Sequence, residues 1–330
     1  MPLPSLHTAV NDIGLPCSGS AIHISSQFQT EQVSFESAGV SIAGLLYIPR
    51  GAAASPGIVV LGPFGYVKEQ APVFYSTLLA SEGFAVLIFD PRYSGESGGH
   101  PRRLESPEAK IADARAAIDY LAGNPNVDPR RIVVLGICQG ASEMIAVAAA
   151  DDRVQGAALV SGQYLYRRNL LDLFCGGGPS LDERIERGRQ ALARFEIDGT
   201  LDYTSVVSAN DKSVALPWPP IHAWYYPWTT DRWGEPSRWE NRYATMSDAE
   251  VWSFDVEAHA RTMNKPTLLV HGENSDGGLP AVRHIYDTLP SSDKRLVVLE
   301  GIFHTRFYDD PSVVVPTAHL IAGWFAKQFR

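Results

Sequence analysis

Residues Arg131–Gly140 (RIVVLGICQG) constrain the fold of this chain more than any other stretch. The apolar run at its start predicts a buried strand, and the next residues, ASEMIAVAAA, are good helix formers. Between strand and helix lies GICQG, a G-x-C-x-G sequence centred on Cys138. A strand, a sharp turn flanked by glycines and a helix are the context of a nucleophile elbow, in which the central residue is commonly serine.

The geometry of such a turn explains why glycines flank Cys138. Glycine on either side lets the strand and the helix approach closely, and the central side chain then projects over the helix N-terminus. Unpaired amides and the helix dipole favour negative charge there, which favours the thiolate form of the cysteine. The alternative interpretation is a buried structural cysteine, since free cysteines are common in protein cores.

Composition narrows the classes of partner and compartment. The chain has 330 residues, 20% of them charged, and a net charge of −9, which argues against a nucleic-acid partner. Three cysteines are too few for a disulfide framework, and a reactive thiol suits a reducing compartment, so we expect a cytoplasmic protein. Neither a signal peptide nor a membrane-spanning run is apparent, so no membrane association is expected. A monomer or a homodimer is compatible with these properties.

Strand and helix patterns alternate along most of the chain. Two alternating runs around Ala38-Gly39 predict an antiparallel hairpin. Buried strands are predicted at Gly57–Leu61, Phe84–Phe89, Arg131–Ile137, Val154–Val160, Thr267–Val270 and Arg295–Leu299. This alternation predicts an α/β fold with a mostly parallel central sheet flanked by helices, and catalytic groups on loops at the carboxyl ends of the strands.

The βα alternation stops after Gly162 and resumes at Lys265. Six of the 7 tryptophans lie in the proline-rich stretch 203–254, which predicts a Trp-rich lid inserted between two strands. We therefore divide the chain into an N-terminal arm (1–30), a core (31–162 and 265–330) and a lid (163–264). The lid aromatics Trp224, Tyr225 and Trp228 are candidates for lining an acyl pocket above the sulfur, or they pack the lid onto the body.

A cysteine nucleophile needs a base, a group that orients the base, and an oxyanion hole. In this class of fold the chain order is nucleophile, acid, histidine, and His304 follows the last predicted strand, so it is the candidate general base. The acid should lie in the HGENSDGGLP loop, where Asp276 is the first choice and Glu273 is the alternative. His271 also ends a strand, but it precedes the acid, so a packing or turn role is expected for it.

Two backbone amides are candidates for the oxyanion hole. One is the N–H of Gln139, directly after the cysteine. The other comes from the Gly62–Gly65 loop, where Pro63 has no N–H, so Phe64 is the candidate donor. Glu143 lies in the first turns of the elbow helix, where it either complements the helix dipole or contacts substrate.

These motifs resemble the cysteine-nucleophile branch of the dienelactone hydrolase superfamily of α/β-hydrolases. The resemblance rests on GPFGYVKEQ (62–70), FDPRYSGESGG (89–99), GICQGA (136–141), LVSG (159–162) and FHTRFYDD (303–310). It implies the α/β-hydrolase fold and a triad of Cys138, His304 and an acid. The chain departs from dienelactone hydrolases proper in its Trp-rich insertion and in lacking a glutamate within Gly62–Gly65.

Three functions are compatible with this sequence. The first is hydrolysis of an ester, lactone or thioester through a thioester acyl-enzyme at Cys138, with a small acyl compound as substrate. The second is capture of the acyl-enzyme by a substrate group instead of water, as in an acyltransferase or cyclase of a biosynthetic pathway; a dry pocket under the lid would favour it. The third is a thiol sensor or binding module, with Cys175 as a resolving partner. Phosphate, nucleotide and metal motifs are absent from the sequence, so no cofactor and no metal is expected.

Overall fold

The computed structural model describes residues 27–51, 54–230, 238–275 and 277–329. Eight strands form one sheet: β1 Phe28–Ser37, β2 Val40–Pro49, β3 Ser55–Leu61, β4 Ala85–Phe89, β5 Val127–Ile137, β6 Val154–Val160, β9 Thr267–Asn274 and β10 Lys294–Phe303. Two short strands, β7 Tyr203–Thr204 and β8 Tyr243–Ala244, pair with each other outside it. The order across the large sheet is β1-β2-β4-β3-β5-β6-β9-β10.

Helices cover the sheet and fill its connections. They are α1 Ala71–Ser81, α2 Pro107–Ala122, α3 Gly140–Ala150, α4 Arg167–Leu173, α5 Leu181–Asp198, α6 Pro219–Tyr225, α7 Ser247–Val251, α8 Val256–Ala260, α9 Gly278–Thr288, α10 Arg306–Asp309 and α11 Pro311–Gln328. A 3-10 helix, Tyr226–Thr229, follows α6. Helix α1 packs against α11, and α2 packs against α3. None of the helices in the described ranges combines the length and the hydrophobicity of a membrane span.

The predicted antiparallel hairpin is confirmed. Strands β1 and β2 pair along their whole length, from Phe28 opposite Pro49 to Ser37 opposite Val40. Ala38 and Gly39 turn the chain at φ values of 47° and 76°. A two-residue turn with both central residues at positive φ matches the twist of a hairpin, which is why glycine is favoured there.

The remaining neighbours pair in parallel, apart from the antiparallel β2–β4 contact. Strands β3, β4 and β6 and the Ile132–Ile137 half of β5 are apolar and almost wholly buried, as expected for strands covered by helices on both faces. The α/β-hydrolase fold with a mostly parallel sheet is therefore the architecture of this chain. The parallel arrangement brings the carboxyl ends of β3, β5, β6, β9 and β10 to one edge, where the candidate site lies.

The chain leaves the sheet between β6 and β9, where the lid was predicted. It forms short elements there, together with one long helix, α5, which the sequence analysis did not predict. A capping box formed by Ser180 and Glu183 begins α5, and Gly199 ends it in the left-handed conformation. Its buried residues recur at helical spacing, and α5 packs against α7. The lid bounds at 163 and 264 stay a prediction, and most of the predicted arm (1–30) lies outside the described residues.

We predict that Gly136→Ala destabilises the elbow. A Cβ at Gly136 would lie 2.4 Å from the Gly140 carbonyl oxygen and 2.6 Å from the Ala141 Cα, both backbone atoms of α3. Forcing the helix away from the strand should lower the free energy of unfolding by about 1–3 kcal/mol, measured by urea denaturation. Gly323→Ala in α11 is the matched control, because its Cβ would meet no atom within 4 Å. That control should be neutral or stabilising, and equal urea midpoints for the two variants would contradict the close approach.

A second prediction concerns the pH dependence of stability. His271 is buried at the end of β9, stacked near Tyr164, and burial, reinforced by nearby His304, lowers its pKa to about 3. The unfolded ring has a pKa near ~6.5, so below that pH only the unfolded chain binds this proton. The stabilisation is therefore complete above pH ~6.5 and is lost as the pH falls toward the folded pKa, by about 1.4 kcal/mol per pH unit.

His271→Gln removes this group. The slope of unfolding free energy against pH between about pH 6 and 4 should become shallower by about 1.4 kcal/mol per unit, measured by urea titrations. His319→Gln is the matched control for the same side-chain change at an exposed position of α11. An identical slope in His271→Gln and the parent would show that the ring is not buried in its neutral form.

Candidate active site

Cys138 occupies the tip of the elbow between β5 and α3. Its φ is +57°, the left-handed region that non-glycine residues rarely adopt. Its backbone is fixed on both sides: its N–H donates to the Val160 carbonyl at 3.0 Å, and its carbonyl accepts from the Gln163 N–H at 2.9 Å. The thiol-bearing side chain is almost fully buried. The strand, strained turn and helix predicted from GICQG are all present.

His304 follows β10 directly and is fully buried. Its Nδ1 lies 3.0 Å from the Ser161 Oγ. Because Ser161 comes directly after Val160, whose carbonyl binds the Cys138 amide, one short segment of backbone touches both the nucleophile's residue and the histidine. Burial lowers the pKa of His304 to about 3, so its ring is neutral at pH 7 and can accept a proton.

Ser161 and Ser275 are site residues that the sequence analysis missed. The Ser161 Oγ lies 2.9 Å from the Ser275 Oγ as well as beside His304, and both serines are buried. Each follows the end of a parallel strand, Ser161 after β6 and Ser275 after β9. Their positions at strand ends could have predicted this contact, because the carboxyl ends of adjacent parallel strands converge.

Of the two candidate acids, only Glu273 lies among the described residues. Asp276, the first choice, lies outside the described residues. Glu273, the alternative, is exposed, and its Oε2 accepts a hydrogen bond from the Gly301 N–H at 2.9 Å. The described geometry therefore gives Glu273 a hydrogen-bond partner in β10.

The two candidate oxyanion donors lie on adjacent loops. The Gly140 N–H donates to the Gly62 carbonyl at 3.2 Å, so the elbow and the loop after β3 are in direct contact. Gly65 donates its N–H to the Glu105 Oε2 at 3.2 Å. Within the described part of the chain, by contrast, neither the Phe64 nor the Gln139 backbone N–H donates a hydrogen bond. Both amides are thus available to an oxygen of a substrate.

A buried charged cluster lies beside the elbow, comprising Glu105, Lys110, Gln139 and Glu143. The Gln139 Nε2 donates to Glu105 Oε1 at 2.8 Å and to Glu143 Oε1 at 2.7 Å. Lys110 pairs directly with Glu105, and its Nζ lies 3.8 Å from Glu143. The sequence predicts that Glu143 either complements the helix dipole or contacts substrate. In the structure Glu143 lies in this cluster, in the first turn of α3.

Burial dominates the electrostatics of this cluster. It raises the pKa of Glu143 to about 8, against the opposing attraction of Lys110. Burial disfavours the charged form of Lys110 too, but Glu105, Glu143 and Cys138 outweigh it and raise the Lys110 pKa. At neutral pH the cluster therefore holds the Lys110 ammonium and a protonated Glu143.

Aromatic residues of the lid pack directly on the candidate site. Trp224 donates its Nε1–H to Asp309 at 2.9 Å and meets the Tyr308 ring edge-on at 4.7 Å. Tyr308 in turn contacts the His304 ring at 5.4 Å, and Trp228 packs on Trp224 at 5.8 Å. Packing of the lid onto the body is thus observed for these residues, and their contact with substrate stays a prediction.

The loop that carries Phe64 is enclosed in the same way. The Tyr225 hydroxyl donates to the Phe64 carbonyl at 3.0 Å, and the Tyr225 ring lies 5.3 Å from Trp239. The Phe64 ring stacks on Trp252 at 5.9 Å and meets Tyr243 edge-on at 5.3 Å. The lid therefore covers the oxyanion loop as well as the histidine.

Three carboxylates converge elsewhere among the described residues, namely Glu69, Asp90 and Glu96. The Lys68 Nζ lies 2.9, 2.8 and 2.6 Å from them, respectively. An ammonium ion thus occupies the position that a metal cation would take. The cluster is a partly buried ion-pair network that ties the loop after β3 to the loop after β4.

Comparisons with known proteins agree with this architecture. The family model described as the dienelactone hydrolase family matches residues 42–172. The uncharacterised protein YcjY of Escherichia coli K12 is 30% identical over 304 residues, which cover 87% of this chain and 94% of YcjY. The crystal structure of the hypothetical protein PA2218 from Pseudomonas aeruginosa has a TM-score of 0.79 at 25% identity and covers 94% of this chain and 100% of its own.

Shorter matches carry functional names. Thiohydrolase aneE of Aspergillus aculeatus is 35% identical over 117 residues, which are 36% of this chain and 36% of that protein. Other matching fungal proteins are named as an acyltransferase and as polyketide transferases. Together with the family match and the near full-length similarity to YcjY, these findings assign the chain: it belongs to the dienelactone hydrolase family of α/β-hydrolases.

Proposed function

We propose that the protein hydrolyses an ester, lactone or thioester through an acyl-enzyme on Cys138, with His304 as general base. The observation that carries the proposal is the left-handed Cys138 at the elbow, joined through Val160 and Ser161 to a buried, neutral His304. Names of relatives, a thiohydrolase among them, support acyl chemistry of this kind.

In the first half-reaction the Cys138 Sγ attacks the substrate carbonyl carbon while His304 takes the thiol proton. A new S–C bond forms, and the carbonyl π electrons move to oxygen, which becomes an oxyanion. The Phe64 and Gln139 amides, which donate no other hydrogen bond among the described residues, stabilise that charge. Collapse breaks the bond to the leaving group, which receives the proton from His304.

In the second half-reaction water replaces the leaving group. His304 takes a proton from water, the resulting hydroxide attacks the thioester carbon, and the same amides hold the second oxyanion. The C–S bond then breaks, the carboxylic acid leaves, and the proton returns to the sulfur. Asp276 orients the imidazole and stabilises its cationic form in both halves, with Glu273 as the alternative acid.

The enclosed position of the site supports a second outcome, acyl transfer or cyclisation. Cys138 and His304 are buried, and Trp224 and Tyr225 of the lid pack against their neighbours. An acyl-enzyme shielded from water survives long enough for a substrate hydroxyl or carbanion to attack it. Turnover in water bearing heavy oxygen distinguishes the two: label in a product carboxylate supports hydrolysis, and an unlabelled ester, ketone or lactone product supports transfer.

We predict that Cys138→Ala abolishes acylation. Wild-type protein quenched with acid during turnover of p-nitrophenyl butyrate, or of the butyryl thioester of N-acetylcysteamine, should carry one acyl group on the Cys138 peptide by mass spectrometry. The variant should lose this adduct and more than about 10³-fold of its activity. Cys175→Ala is the matched control, because Cys175 is exposed and should leave both signals unchanged. Undiminished turnover in Cys138→Ala would overturn the mechanism, because the nucleophile would then not be the Cys138 sulfur.

We predict further that Asp276→Asn lowers the acylation rate by about 10²-fold, because the amide no longer stabilises the imidazolium. Glu273→Gln should change the rate by less than about 3-fold, since an exposed amide oxygen can still accept from Gly301. Stopped-flow release of p-nitrophenolate measures both. The reverse order of effects would identify Glu273 as the acid.

A further inference from the structure

Both polar groups of the peptide bond between Phe64 and Gly65 are held by hydrogen bonds with side chains. Its carbonyl oxygen, on Phe64, accepts from the Tyr225 hydroxyl at 3.0 Å. Its N–H, on Gly65, donates to the Glu105 Oε2 at 3.2 Å. Tyr225 and Glu105 are both buried, so neither contact competes with bulk water.

This peptide is one that could rotate if it were not held. Gly65 sits at φ +60°, and glycine accepts positive and negative φ at similar cost, so a flip of the preceding peptide meets little steric resistance. Phe64 Cα joins this peptide to the one carrying the Phe64 N–H. Holding the Phe64–Gly65 peptide therefore fixes the position of the Phe64 Cα, which is one end of the peptide that carries the candidate oxyanion donor.

The Glu105 carboxylate also contacts Gln139, the residue that carries the second candidate oxyanion donor. Glu105 Oε1 accepts from the Gln139 Nε2 at 2.8 Å, and Gln139 supplies the other candidate amide. Lys110, also buried, pairs directly with Glu105 and helps to fix its carboxylate in place. One carboxylate thus connects the loop after β3 to the first residue of the elbow helix.

The other hydrogen bond to this peptide, at the Phe64 carbonyl, comes from the lid. Tyr225 ends α6, 161 positions along the chain from Phe64. Its ring meets Trp224 edge-on at 4.9 Å and packs at a tilt on Trp239 at 5.3 Å. The hydroxyl can reach Phe64 only when this part of the lid is seated on the body.

We propose that Tyr225 and Glu105 are positioning residues for the oxyanion hole, and that seating of the lid through Tyr225 sets the Phe64 amide for acyl transfer. This inference rests on the proposed acyl chemistry at Cys138. It assigns to the lid a part in the chemical step, in addition to covering the substrate.

The test compares two reactions of the same sulfur. Acylation by p-nitrophenyl butyrate passes through an oxyanion, whereas alkylation by iodoacetamide displaces iodide at a saturated carbon and forms none. Tyr225→Phe should slow acylation about 10-fold at saturating ester, through kcat more than KM, because it removes one buried hydrogen bond and keeps the ring. Alkylation of Cys138, followed by mass spectrometry, should stay within about 2-fold of wild type.

Tyr226→Phe is the matched control, since it deletes the same atom one residue later from a half-exposed ring (52% exposed). It should leave both rates unchanged. Glu105→Gln is the second variant. It weakens the hydrogen bonds from the Gly65 N–H and the Gln139 side chain, so it too should slow acylation more than alkylation. Thermal melting of each variant shows that the fold is retained, and if Tyr225→Phe does not fold, Glu105→Gln decides.

The outcomes distinguish a failure of the proposed function from a failure of the role of Tyr225 and Glu105. If wild-type Cys138 is never acylated, the proposed function fails, and the inference fails with it. If wild-type protein is acylated and Tyr225→Phe reacts at the same rate, the inference alone is overturned. Equal slowing of acylation and alkylation would also overturn it, because that pattern reports access to the sulfur and not the oxyanion.

Discussion

The left-handed backbone at Cys138 is the constraint on which the rest of the site depends. A non-glycine residue at a φ of +57° costs about 1–2 kcal/mol, and the fold must hold it there. It does so with hydrogen bonds from Cys138 to Val160 and from Gln163 and Ala141 to Cys138. Val160 belongs to the sheet, Ala141 to α3, and Gln163 is a buried residue just after β6, so the direction of the sulfur is fixed by the deeply buried part of the molecule.

Close backbone approach is the second requirement that the elbow imposes on its surroundings. Gly140 contacts the loop after β3 so tightly that a Cβ there would lie 2.5 Å from the Leu61 carbonyl oxygen. This contact brings the Phe64 loop against the elbow. The nucleophile and both candidate oxyanion donors therefore share one packing arrangement, in which no part can shift alone.

The sequence predicts the backbone of this site better than its side-chain network. GICQG and its flanking patterns predict the elbow, because strand, turn and helix signals are local and agree with one another. His304 can be placed because it follows a predicted strand. Ser161 and Lys110 could not be assigned in the same way. Ser161 contacts Ser275 and His304, and Lys110 faces Glu143, all of them distant in the chain. Such long-range contacts exist only once the sheet has assembled, and nothing local in the sequence specifies them.

The buried cluster beside the elbow has a cost that packing does not explain. Burying an ion pair is at best near neutral for stability, and apolar residues of the same volume would serve as well. Its protonation state suggests what it does contribute. Burial raises the Glu143 pKa to about 8, so this carboxyl is largely protonated at neutral pH, and Lys110 pairs with the other carboxyl of the cluster, on Glu105. Were both carboxylates ionised, the cluster would place net negative charge next to the sulfur and oppose the thiolate and the oxyanion alike. A protonated Glu143 still accepts from Gln139, so the side chain of that residue stays fixed while the reacting groups face a neutral background.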